Sequence, residues 1–104
     1  MKNFFRAHLN ETLGIDDPEL QDELIGEYKR TFDDSVADMR KAADAADFER
    51  LRRLGHALKG CALNIGHAAG RESALGVETG ARNADLEACR AEIEKLAEMA
   101  QKLE

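Results

Sequence analysis

His56, Lys59 and Gly60 fall in the five-residue run His-Ala-Leu-Lys-Gly, inside a segment whose apolar residues recur every three or four positions. An imidazole set apart from an apolar stripe meets water, and its neutral ring nitrogen is a nucleophile near neutral pH. A lysine three residues on occupies adjoining helix surface. Its ammonium is a compact, mobile cation suited to the oxygens of a phosphoryl group. Helical side chains lean toward the N-terminus, so a side chain at position 60 would lie over the turn that holds His56. Glycine leaves that turn bare. The three together suit one piece of chemistry: taking up a phosphoryl group and handing it on.

Helical geometry supports the outward placement of His56. With Leu58 as zero, Leu51, Leu54, Gly55, Cys61, Ala62 and Ile65 fall within about 60° of it, whereas His56 falls at about 160°. Arg52, Arg53, Gly60 and Leu63 share the outer face, with Lys59 at its edge. Gly60 costs about 1 kcal/mol relative to alanine in a helix interior, and on an outer face close helix packing gives no reason for it. Gly55, on the inner face, is expected to permit close packing. Arg50, Arg52, Arg53 and Lys59 form a locally basic patch in a chain of net charge −6, a surface expected to speed association with an acidic partner.

The elements that must position this site are helices. Ala, Leu, Glu, Arg and Lys dominate the 104 residues, there is one proline, and no period of two is visible. Five helices are expected. A short first helix, 2–13, carries Phe5, Leu9 and Leu13 on one face and stops at Gly14. Asp16-Asp17-Pro18-Glu19 starts a second, about 27 residues and about 40 Å long. Its stripe is Leu20, Leu24, Tyr28, Phe32, Val36, Met39 and Ala43. Asp47 caps the third, which Gly66 ends. The fourth, from about His67 to Arg82, has a thin stripe near Ala68, Glu72, Leu75 and Thr79. Asp85 caps the fifth, with Leu86, Cys89, Ile93, Leu96, Ala100 and Leu103 inward. Short connections fold sequential helices back on one another. The expected architecture is all-α: an antiparallel up-down four-helix bundle with an additional short N-terminal helix, a single domain over residues 1–104.

Composition narrows the function further. The net charge of −6 argues against binding nucleic acid or an anionic membrane surface. No apolar run of signal-peptide or membrane-spanning length is visible, and a cytoplasmic monomer is expected. No phosphate-cradling glycine loop or nucleotide motif is present, so no cofactor is expected and the chain is not read as a kinase. Cys61 and Cys89 read as small buried hydrophobes, with a disulfide or redox pair as the alternative. A metal-binding bundle using His56, Cys61 and His67 has poor geometry and no Glu-x-x-His pair. His8 and His67 read as surface or partly buried structural residues.

The run from His56 to Gly66 resembles the His-x-x-Lys-Gly motif of histidine-containing phosphotransfer domains, and the expected helix lengths and the Asp47 and Asp85 helix starts fit that family too. The resemblance implies a four-helix bundle with one phosphoryl-accepting histidine in a two-component phosphorelay, with receiver domains of response regulators or a hybrid kinase as partners. It makes His56 the phosphoacceptor, Lys59 the charge that stabilises the phosphorylated form, and Gly60 the gap. Many members place a polar amide on the following helix within reach of the histidine. Here that position holds Glu78, a carboxylate able to orient the imidazole but also to repel a bound phosphoryl group. Arg52, Arg53, Leu63 and Phe4 are expected to line the partner surface. The Met1 start favours a free-standing carrier. The competing reading is a non-catalytic helical module that docks on a signalling partner and masks it.

Overall fold

The computed structural model describes residues 1–103. Five helices follow in order: α1 (Lys2–Leu13), α2 (Pro18–Asp44), α3 (Phe48–Ile65), α4 (Ala68–Arg82) and α5 (Leu86–Lys102). Among the described residues there is no strand. Three helix starts are fixed by aspartates that accept from free backbone N–H groups. Asp17 accepts from Glu19 N at 3.0 Å, Asp47 from Arg50 N at 3.1 Å, and Asp85 from Ala88 N at 3.0 Å. Each such cap contributes about 1 kcal/mol. Gly66 ends α3 in the left-handed region, at φ 79°, a conformation that costs glycine little.

The links between α2 and α3, α3 and α4, and α4 and α5 are two or three residues long, so each helix doubles back on its predecessor. α2 packs on α3, α3 on α4, α4 on α5, and α5 closes the ring against α2. Helix α1 lies over α2 and α3. The bundle measures 42 × 21 × 16 Å, its length set by the 27 residues of α2. Phe5, Ile25, Phe32, Met39, Leu51, Leu58, Val77, Ile93 and Leu96 are buried in a single core.

Several expected inward residues lie elsewhere. Leu13 and Leu20 are exposed. Gln21 takes the inward place at the start of α2 and donates to the Ile15 carbonyl at 2.7 Å. Leu54 is only partly buried, and Cys61 is exposed; both sit at the stripe's edge, and Cys61 opens into a groove between α1, α2 and α3 that also holds Leu13 and Tyr28. On α4 the expected stripe is replaced. Its buried face is Gly70, Ser73, Ala74, Val77, Glu78, Gly80 and Ala81, while Leu75 is 44% exposed. Small residues there let α4 approach α3 at backbone distance. A Cβ on Gly55 would sit 2.8 Å from the Ala74 carbonyl oxygen and 2.8 Å from Glu78 N.

His67 is buried, not on the surface. It is 3% exposed at the N-terminus of α4. Phe5, Tyr28 and Phe32 surround its ring at centroid distances of 5.6, 5.7 and 5.8 Å. Its Nδ1 shares a 2.7 Å hydrogen bond with the Tyr28 hydroxyl. Burial pushes the imidazole's pKa below the usual histidine value, so the ring is held neutral. This cluster ties α1, α2 and the α3–α4 corner together.

Candidate functional site

The close approach at Gly55 places Glu78 beside the next turn of α3, and this contact builds the site. His56 follows Gly55 directly, and its side chain is 66% exposed. The Glu78 side chain is only 4% exposed, yet its carboxylate reaches the rim of the α3–α4 seam. His56 Nδ1 lies 3.0 Å from Glu78 Oε2, and Lys59 Nζ donates to Glu78 Oε1 at 2.8 Å. Arg82, one turn along α4, donates to Oε2 at 3.4 Å.

Charge assigns the protons. The Lys59 hydrogen bond, reinforced by that of His56, outweighs burial and holds the Glu78 carboxyl below its ordinary range. An ionised carboxylate only accepts, so Nδ1 of His56 carries the proton that it shares with Glu78. Nε2 is then the ring nitrogen with a free lone pair, and among the described residues it has no hydrogen-bond partner. A Cβ built on Gly60 meets nothing within 4 Å, so the surface beside the imidazole is open.

The other expected site residues divide into two groups. Arg52 and Arg53 both pair with Glu49, at 3.1 and 3.0 Å, on the turn of α3 that precedes His56. The Glu49 contact is the main reason the Arg52 guanidinium is held more firmly protonated, and Glu78 adds a smaller share. Leu63 is 56% exposed, two turns beyond His56. Phe4 is equally exposed, but it borders a different feature, a cavity of about 530 Å³ shared with His67, Ala68 and Met99. The structure therefore brings His56 and Lys59 onto the Glu78 carboxylate, leaves the surface at Gly60 open, and sets Phe4 at the α3–α4 corner.

Arg82 is the member that sequence reasoning missed. Its one signal was the spacing Glu78-Arg82, an i,i+4 acid–base pair, common enough on any helix to pass unnoticed. Among the described residues no group of three or more His, Cys, Asp and Glu side chains could hold a metal ion, and no helix is long and apolar enough to cross a membrane.

No curated protein and no solved structure matches the chain. A sequence profile of the Hpt domain matches residues 23–104, which takes in most of α2 and all of α3, α4 and α5. An all-helical bundle with that match belongs to the Hpt domain family, whose members carry phosphoryl groups on histidine in two-component phosphorelays.

Proposed function

We propose that His56 is the phosphoryl-accepting residue of this Hpt domain, and that the chain shuttles the group between receiver-domain aspartates. One observation carries the reading. A buried carboxylate holds Nδ1 protonated, so the ring presents Nε2 from a mostly exposed side chain beside an uncovered glycine.

The Nε2 lone pair attacks phosphorus of a receiver aspartyl phosphate in line, through a loose transition state. The acyl P–O bond breaks, and its electron pair leaves on the receiver carboxylate. An N–P bond forms, and the ring becomes cationic while Nδ1 keeps its proton. Glu78 stabilises that positive charge across the 3.0 Å hydrogen bond. Lys59 supplies positive charge to the phosphoryl oxygens, and Gly60 leaves room for the partner's catalytic pocket. The receiver contributes the divalent metal and acidic residues. The reverse sequence on a second receiver returns the imidazole to its neutral form. Arg52, Arg53 and Leu63 form the docking surface around His56, with Phe4 an outlying anchor. The domain works as a cytoplasmic monomer and binds neither nucleic acid nor membrane.

Incubation with phosphorylated receiver domains tests the assignment. Wild-type protein is expected to take up an acid-labile phosphoryl label, and His56→Gln to take up none. A wild-type protein that stays unlabelled, but still binds and inhibits a receiver, would instead support a masking module.

A further inference from the structure

Glu78 poses an electrostatic problem that Lys59 alone does not solve. In the unloaded site one carboxylate faces two cations and the N–H of the His56 ring. A phosphoryl group on Nε2 adds a charge of about −1.5 to −2 next to it. Lys59 is the cation expected to turn toward that group, and its half-buried, flexible stem allows the swing. Turning away strips Glu78 of its shortest ion pair, 2.8 Å. A carboxylate with a 4% exposed side chain that loses this pair as a dianion arrives keeps only the N–H of the cationic ring, whose charge the phosphoryl group itself offsets, and the long Arg82 contact, and it is disfavoured unless another cation closes on it.

We infer that Arg82 is a positioning residue for the phosphorylated state: it takes over Glu78 when Lys59 turns to the phosphoryl group. The inference rests on the carrier reading above. Arg82 is already oriented toward Oε2, at 3.4 Å. Its side chain is 60% exposed, so the guanidinium is free to close to a tighter, two-pronged contact. It sits one turn from Glu78 on the same helix, so the handover moves neither helix. Arg52, the other arginine whose field reaches Glu78, is held by Glu49. Arg82 thus acts through Glu78 and not on phosphorus, and it makes a carboxylate tolerable where repulsion is expected.

A double-mutant cycle on the full chain reads this directly. His56 is loaded with phosphoramidate, whose P–N bond breaks to release ammonia as the new N–P bond forms, and the lifetime of the phosphohistidine is followed by ³¹P NMR. Arg82→Gln is expected to shorten that lifetime and slow loading by about three- to tenfold. Arg82→Lys, which keeps the charge but not the two-pronged geometry, should recover only part of the loss, and the thermal midpoint should barely move. In a Glu78→Gln background, Arg82→Gln should have no further effect; Glu78→Met serves as the background if Gln does not fold. An equal loss in both backgrounds, or none in the wild type, overturns the inference while leaving His56 as the acceptor. A wild-type chain that takes no label from phosphoramidate or from a phosphorylated receiver overturns both.

Discussion

Two glycines of α3 should respond to alanine in opposite directions. At Gly60 the new methyl meets no heavy atom within 4 Å, so Gly60→Ala gains only the helix propensity difference, about 1 kcal/mol. For a domain of this size that raises the melting temperature by about 4–8 °C. The same methyl stands over the turn that carries His56. A displacement of about 1 Å between reacting atoms costs on the order of 100-fold in rate. Transfer from a phosphorylated receiver should therefore slow by about tenfold for Ala, and by about 100-fold for the longer Gly60→Gln. At Gly55 the methyl would lie 2.8 Å from both the Ala74 carbonyl oxygen and Glu78 N. These are backbone atoms, so α4 itself must shift. Overpacking of this kind costs about 1–3 kcal/mol, which outweighs the propensity gain, and Gly55→Ala should melt lower and transfer more slowly. The assays are thermal unfolding by circular dichroism and single-turnover transfer. A Gly60→Gln variant that is more stable yet transfers at the wild-type rate would refute the access role of Gly60. A Gly55→Ala variant as stable as wild type would refute the close seam.

Three further outcomes follow from features of the same bundle. His67 is buried neutral with a lowered pKa, so the unfolded chain binds its proton first as pH falls. Stability is full above the unfolded histidine value, about 6.5, and declines as pH is lowered toward the depressed folded-state value. Urea titrations at pH 7 and pH 5 should show a drop that His67→Phe diminishes; an equal drop in the variant would place its cause elsewhere. Cys61 is exposed and Cys89 buried, so a thiol reagent should modify only Cys61 in the native protein, as read by mass spectrometry, and Cys89 after unfolding. Phe4→Ala should change stability by less than about 0.5 kcal/mol, because Phe4 is 56% exposed, while slowing transfer; unchanged transfer removes Phe4 from the docking surface.

Much of this fold is written in local chemistry. The capping aspartates 17, 47 and 85 and the stop glycines 14 and 66 act within one turn of themselves, so they locate helix ends without knowledge of the tertiary fold. The outward placement of His56 is also local, since it depends only on helical period. Residues whose environment depends on another helix were harder to read. The inner face of α4 consists of Gly, Ser and Ala with Val77 as its one larger apolar residue and a buried Glu78, and such a face has only a faint hydrophobic signature. It is inner because α3 offers Gly55 for contact and Lys59 for charge. Leu13, Leu20 and Cys61 belong to apolar stripes yet remain exposed, because whether a neighbouring helix covers a stripe residue is not decided by its own helical period. His67 shows the reverse case: an aromatic cage drawn from α1 and α2 buries a ring that its own neighbours in sequence gave no reason to hide.

At Gly55 the main chains of α3 and α4 meet with no room for a side chain between them. The His56 ring and the Glu78 carboxylate ride on these two helices, so their arrangement is set before any partner arrives and does not rely on a closing motion. A template of that kind treats arrival and departure of the group as one path traversed in either sense. On the proposed function the domain then imposes no direction of its own, and net flux follows the transfer free energies and the abundances of charged and uncharged partners.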